Sequence, residues 1–237
     1  MRTLSKSQID RLGERLKKGR ISEADLRDLD EYRRSFGAAY EHVVQRIRGE
    51  LRVETTGRPA KSTSSLSDKL RRETIRLTQV QDIAGCRIVV AGRAEQDRLV
   101  RSLRVLFPGA AVVDRREKPS FGYRAVHVMP RVGDQVIEIQ VRSRLQHLWA
   151  ELSEKYSDTI DPSIKYGGGP AEVRGLLAST SSMASDVELF EQAILSRVGK
   201  DPSVGDLPEQ VASLRRELSD DFARMIAEVD KLGGGRR

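Results

Sequence analysis

Two acids and a scatter of bases carry the chemistry open to this sequence. Asp82 stands at the entrance of an apolar run, Ile83 to Val90, and Glu138 sits inside the alternating stretch VIEIQVR. Lys61, Lys69 and Arg87 precede or interrupt the first run, while Tyr123 and His127 precede the second. Two carboxylates can hold Mg²⁺, which binds through one or two carboxylates plus substrate phosphates. Lys and Arg donate charge-assisted hydrogen bonds that neutralise a polyphosphate, and an aromatic ring can stack on a base. Such a set suits phosphoryl-type transfer, where positioning and electrostatics dominate. Plainer readings compete at each place. Asp82 and Arg87 would also make a structural ion pair, and Lys69, Arg71, Arg72 and Arg76 would also make a solvated helix face.

The elements that position these groups follow from periodicity. Phe121 to Arg142 reads as two alternating strands around a Gly133-Asp134 turn. That register sets Val132 opposite Gln135, His127 opposite Gln140, Met129 opposite Glu138 and Ala125 opposite Arg142. Paired residues share a face. One face therefore carries Tyr123, Ala125, His127, Met129, Glu138, Gln140 and Arg142. The other carries Val126, Val128, Ile137, Ile139 and Val141, with Arg124 near its end. The second is a core wall and the first a wet face on rigid elements. A slip of one residue would invert the assignment for one strand.

Around the hairpin, Ser5 with Gln8 and Ser22 with Asp25 signal two helix starts, the second continuing to about Leu51. ETTGRPAKSTSS, residues 54–65, reads as a loop carrying Arg58 and Lys61. It leads into a basic helix, SDKLRRETIR. Ile83 to Val90 reads as a central strand buried on both faces. Arg93 to Phe107 reads as a helix and Ala110 to Val113 as a short strand. A charged loop with Arg115, Arg116 and Lys118 then reaches Gly122. Leu145, Leu148, Trp149, Leu152 and Tyr156 share one helical face, and 157–170 is a connector. Helices over 171–198 and from Val211 to Leu232 follow, and the GGGRR end is expected to fray. The last stripe packs on the body or on another copy. The order gives an α/β (α+β) fold, a mixed sheet flanked by N- and C-terminal helices.

Composition sets the bounds. The 237 residues are 38% hydrophobic and 32% charged, with net charge +7. That balance favours polyanionic partners or simply keeps the chain in solution. The single cysteine, Cys86, excludes an internal disulfide and reads as a small core residue, in keeping with a reducing cytoplasm. One Cys and three scattered His, at 42, 127 and 147, offer no zinc spacing. No apolar run reaches the length of a membrane span, no signal-peptide pattern opens the chain, and no GxGxxG, Walker A or nucleophile-elbow motif appears.

Four blocks, KSTSSLSDKL, QDIAGCRIVV, GYRAVHV and VIEIQVRSRLQHLWAELSEKY, resemble in order and spacing the synthetase domain of the RelA/SpoT family, the (p)ppGpp or alarmone synthetases. The resemblance spans about residues 58–158. It implies a nucleotidyltransferase-like core over 54–158, a helical segment over 1–53 and a C-terminal helical extension over 159–237, as in the small stand-alone synthetases. No hydrolase-type HD motif accompanies it. It implies Mg²⁺-dependent transfer of the β,γ-pyrophosphate of ATP to the 3′-hydroxyl of GDP or GTP, releasing AMP, by a cytoplasmic enzyme.

By motif position, the resemblance implies that Arg58, Lys61, Ser65, Lys69 and Arg87 hold ATP. Asp82 and Glu138 would bind Mg²⁺, with Glu138 also drawing the proton from the acceptor hydroxyl. Lys118, Gly122, Tyr123, His127, Gln140 and Arg142 would serve the acceptor, Tyr123 by stacking on its base. The acceptor loop departs from the family's pattern, in which Pro-Lys and then Asn precede Gly-Tyr. Here Lys118-Pro119 is inverted and Phe121 stands at the Asn position, which opens the question of guanine selectivity. Two alternatives follow for the acceptor: the 3′ CCA end of tRNA, modified by a growth-inhibiting toxin with an antitoxin partner, or adenosine nucleotides. A non-catalytic RNA-binding module is a third reading, disfavoured by the presence of both acids. A homo-oligomer through the C-terminal helices is a further expectation.

Overall fold

The computed structural model describes residues 4–198 and 200–234. Of the GGGRR end expected to fray, Gly233 and Gly234 continue the last helix, and 235–237 fall outside the described residues. The chain divides into two compact units, Met1–Ile88 with Ser102–Val112 and His127–Gln140, and Val89–Arg101 with Val113–Val126 and Val141–Arg237. Consecutive segments of sequence thus contribute to each unit in turn. The mixed α/β class and the flanking helices are as expected.

In chain order the main elements are α1 (Lys6–Lys17), α2 (Glu23–Ser35), α3 (Gly37–Arg46), β1 (Thr56–Arg58), α4 (Thr63–Arg72), β2 (Ala84–Val90), α5 (Arg93–Leu106), β3 (Ala111–Asp114), β4 (Val126–Met129), β5 (Arg131–Val132), β6 (Gln135–Ser143), α6 (Arg144–Thr159), α7 (Ala171–Leu195) and α8 (Leu207–Gly234). The strands lie in the order β1-β2-β6-β4-β3, with β5 also on β6.

In the first unit the predicted capping box of Ser5 with Gln8 opens α1, and at the predicted start of the second helix Ser22 forms a further box with Asp25, opening α2. Asp25 also accepts from Arg15 at 2.6 Å, tying the two helices together. Side chains of Leu12, Leu29, Val43, Ile47, Leu66 and Leu70 are fully buried and form the core of this helical part. The register across the turn is as derived, with Arg131 opposite Val136, Val132 opposite Gln135, and Ile137 N–H donating to Pro130 O at 3.0 Å, but the first strand is shorter than expected, beginning at Val126 because 121–125 form a turn closed by Ser120 and Tyr123 and an irregular run. Gly133 at the turn has φ 58°, which suits a primed hairpin turn.

Four further expectations need correction. The helix from Ser22 is interrupted at Phe36, whose N–H bonds back to Arg33 O and Arg34 O, and it resumes at Gly37. A wide π turn, Ile47–Leu51, then closes it. The loop over 54–65 contains β1, because Gly57 lets that strand lie against β2. A Cβ on Gly57 would come within 2.5 Å of Gly85 O. The basic helix begins earlier than expected, capped by Ser62, whose Oγ accepts from Ser65 N–H. Finally, β2 alternates in burial rather than being buried throughout, with Gly85 and Arg87 half-buried and Val89 exposed.

The second unit is built on α6, α7 and α8. Leu148, Trp149, Leu152, Leu177, Val187 and Phe222 share its core. The Trp149 indole N–H donates to Leu177 O at 2.8 Å. α8 buries Val211, Leu218, Phe222 and Val229, so much of its predicted stripe is spent within the unit. Among the described residues no helix is long and apolar enough to cross a membrane.

Candidate active site

The first unit gathers two carboxylates with their counter-charges. Asp82, just before β2, receives Lys61 Nζ on Oδ2 at 2.6 Å and Lys69 Nζ on Oδ1 at 2.9 Å. Local structure explains the meeting. Lys61 N–H bonds to Ile83 O, fixing the segment that leads into α4 beside the start of β2. Lys69 stands on α4 six residues after Thr63, the first helical residue. Burial pushes the Asp82 carboxyl up, but the two ammonium groups outweigh it and hold the pKa below its ordinary 3.8.

Glu138 is set on β6. His127 Nδ1 lies 2.8 Å from Glu138 Oε1, and Gln140 Nε2 donates to Oε2 at 2.9 Å. The two neighbours come from the face predicted by the register. That face is less open than expected: His127 is buried and Ala125 fully so. The other face is the core wall predicted for it, since Val126, Val128, Ile137, Ile139 and Val141 are all fully buried. Burial raises the Glu138 pKa, while the His127 contact and charge and the Gln140 amide bring it below its usual 4.5. Asp82 is near enough that its charge pushes Glu138 upward. Gly85 permits the close approach of β2 to β6, for a Cβ there would stand 2.7 Å from Glu138 O. Cys86 is buried and its thiol is pushed up to about 12, first by burial and then by Glu138, which leaves it the inert core residue expected.

The other predicted residues are distributed as follows. Ser65 lies in the first turn of α4, its hydroxyl 2.8 Å from that of Ser62. Arg87 is half-buried on β2 opposite Thr56. Arg58 ends β1, and its side chain lies outside the described residues. In the second unit, Arg142 is buried, stacks 5.0 Å from the centroid of the Tyr123 ring and donates to Tyr123 Oη at 3.2 Å. Gly122 has φ 90° and lies against Trp149. Lys118 is exposed. His147 is on α6 with Glu151 at 3.5 Å.

Sequence reasoning missed two things here. Ser62, the cap of α4, supplies a hydroxyl at the helix start; a serine run before an amphipathic segment was the available signal. The grip of Arg142 on Tyr123 had no signal in the spacing.

The sequence-family model described as the region found in RelA / SpoT proteins matches residues 57–159. An uncharacterised protein of Mycobacterium bovis, Mb1401, is 33% identical over 198 residues, covering 74% of this chain and 71% of the relative. The uncharacterised Rv1366 of Mycobacterium tuberculosis matches to the same extent. The chain belongs to the RelA/SpoT family.

Solved structures agree at the level of the fold. The small alarmone synthetase 1 of Bacillus subtilis bound to its product pppGpp is similar with TM-score 0.57 and 21% identity, over 74% of this chain and 100% of that one. A second structure of the same Bacillus subtilis synthetase gives TM-score 0.53 and 23% identity, over 76% of this chain and 100% of that one. This RelA/SpoT chain therefore has the fold of a small stand-alone synthetase.

Proposed function

We propose that the chain transfers the β,γ-pyrophosphate of ATP to the 3′-hydroxyl of GDP or GTP, yielding (p)ppGpp and AMP. The observation that carries this reading is the pair of anionic carboxylates in the first unit. Asp82 is clasped by two lysines beside the start of α4, and Glu138 is oriented by His127 and Gln140. The Bacillus subtilis synthetase is bound to pppGpp in one structure and to AMPCPP in another, which supports the nucleotide pairing.

The donor set suits Mg²⁺. Among the described residues no group of three or more His, Cys, Asp or Glu could hold a metal alone. A site with two carboxylates fits an ion that takes its remaining ligands from phosphates and water. Asp82 and Glu138 would hold it, and when bound it supplies charge neutralisation at the phosphates. The chain's own groups do the rest. Lys61 and Lys69 exchange their contacts with Asp82 for phosphate oxygens, aided by the hydroxyls and N–H groups at the start of α4. Glu138 accepts the proton of the attacking 3′-hydroxyl, and His127 and Gln140 fix its orientation. In the second unit Arg142 steadies Tyr123, the ring that the resemblance assigns to base stacking.

The test offers γ-labelled ATP and Mg²⁺ with GDP, GTP, ATP and deacylated tRNA in competition. Label in (p)ppGpp supports the proposal. Label on tRNA alone replaces it with the RNA reading, and AMP released without any acceptor product rejects both.

A further inference from the structure

Four stretches of the first unit, far apart in sequence, meet around a cavity of about 330 Å³. They are the start of α1, the end of α2 with Phe36, the segment at Thr78 and the Asp134-Gln135 side of the hairpin turn. Beside the break in the helix at Phe36, Ser35 is bound to the hairpin. Its carbonyl accepts from the Gln135 amide at 2.8 Å, and its hydroxyl oxygen accepts from the same nitrogen at 3.1 Å. Thr78 is fixed in turn by Asp10, which accepts its N–H at 3.1 Å and its hydroxyl at 2.7 Å. The walls are thus held by the protein's own bonds, and a ligand entering between them finds a preformed site.

Two kinds of surface line the cavity. Tyr32 and Phe36, one helical turn apart, set their rings edge to face with centroids 5.4 Å apart. Leu4 and Ile9 add aliphatic surface. An aromatic ligand gains both apolar contact and ring–ring geometry from such a lining. The Tyr32 hydroxyl has no hydrogen-bond partner among the described residues, and burial with the charge of Asp10 pushes its pKa up to about 12, so it keeps a proton to donate. Lys6, Glu31 and Asp134 supply charge, Glu31 half-buried and the other two exposed. Among the described residues none of these three side chains makes an ion pair or a hydrogen bond. Two carboxylates against one ammonium make the place net negative in a chain of net charge +7, which turns polyphosphates away.

We propose that this cavity binds a small zwitterion with an aromatic body, the chemistry of a free aromatic amino acid. Glu31 and Asp134 meet its ammonium group, Lys6 and the Tyr32 hydroxyl meet its carboxylate, and the Phe36 ring with Ile9 and Leu4 covers its side chain. The volume lies at the small end for ligand sites, in keeping with a molecule of that size. The proposal concerns binding in the first unit alone and stands apart from the pyrophosphotransfer reading.

The experiment titrates the full chain, without nucleotide, with L-phenylalanine, with phenethylamine, which lacks the carboxylate, and with 3-phenylpropionate, which lacks the amine. Calorimetry gives the dissociation constants. NMR follows the tyrosine ring signals, with Tyr32 assigned from Tyr32→Phe. L-Phenylalanine is expected to bind and to move the Tyr32 signals. Loss of either charged group should weaken binding about 10- to 100-fold, the worth of a charged hydrogen bond. Glu31→Gln should weaken L-phenylalanine by about tenfold or more, while Glu23→Gln, on the same helix but outside the cavity, should leave it unchanged. Melting curves show that each variant is folded. Should Glu31→Gln not fold, Lys6→Met at an exposed position decides: it should weaken L-phenylalanine and leave phenethylamine unaffected. Tyr32 signals that L-phenylalanine does not move, 3-phenylpropionate bound as tightly as L-phenylalanine, equal effects of Glu31→Gln and Glu23→Gln, or a Lys6→Met loss shared by both amines would overturn the proposal.

Discussion

Glu138 and Glu188 are both carboxylates largely withdrawn from water, one in each unit, and their ionisation is displaced in opposite directions. Glu138 faces His127 and a Gln140 amide, and its pKa falls. Glu188, on α7, faces the Ser143 hydroxyl and the Gln146 amide. Burial dominates there and its pKa rises, although those hydrogen bonds and Arg93 pull the other way. Burial is therefore common to both, and partner charge decides the outcome. The first arrangement keeps an anion ready to meet a cation or a proton. The second clamps elements together: Gln146 reaches Gln96, and Gln96 donates to Val141 O at 2.8 Å, all in a fully buried network.

The sharpest break in this contrast is expected at Glu138. Glu138→Gln keeps the size and removes the charge, so turnover measured as AMP release should drop about 10²–10⁴-fold. A melting curve near that of wild type would show that the fold survives. Undiminished turnover would remove Glu138 from the chemistry.

Next in size is Lys69→Met, which strips one of the two cations from Asp82. The KM for ATP should rise about 10- to 100-fold, the worth of one charged hydrogen bond, and acceptor KM should hardly move. Parallel loss of both would mean that Lys69 serves the fold and not the donor.

At Glu188 the effect belongs to stability. Glu188→Gln should cost about 1–3 kcal/mol near pH 4, because an amide mismatches donors that a carboxyl accepts. A raised acid in the folded state resists ionisation that the unfolded chain undergoes freely from about 4.5 upward. Wild type therefore loses stability as pH rises through that value, and the gap to the variant narrows. Urea unfolding at a series of pH values reads this; a gap that widens with pH would reverse the assignment.

The smallest effect is at Asp25, the depressed case outside the site. Its pKa is lowered to about 2, chiefly by the Arg15 hydrogen bond. Asp25→Asn should cost about 1 kcal/mol, typical of a lost cap. That contribution is complete above 3.8 and disappears as pH falls through about 2. Acid titration of the unfolding midpoint checks it, and a pH-independent difference would point to shape and not charge.

What was legible in the chain follows from how locally each feature is determined. Ser5, Ser22 and the Gly133-Asp134 turn act over three or four residues, so their caps and register could be read directly. The contact of His127 with Glu138 followed from the register. β1 was hidden because a three-residue strand bearing Gly57 has little propensity of its own and exists by pairing with β2. The interruption at Phe36 was hidden by a hydrophobic stripe that continues across it. The double clasp on Asp82 and the stacking of Arg142 on Tyr123 join residues thirteen to twenty-one positions apart, and no periodicity records them.

Trp149 is the chain's one tryptophan. Its ring lies under Gly122, where an added Cβ would approach within 2.5 Å of Cζ2. The indole is held by its N–H on Leu177 O. A natural fluorophore thus sits directly beneath the turn that carries Phe121, in a protein with no other indole to obscure it. Its emission can report on that turn in unlabelled, unmodified protein, in real time and at the dilution used for enzyme assays.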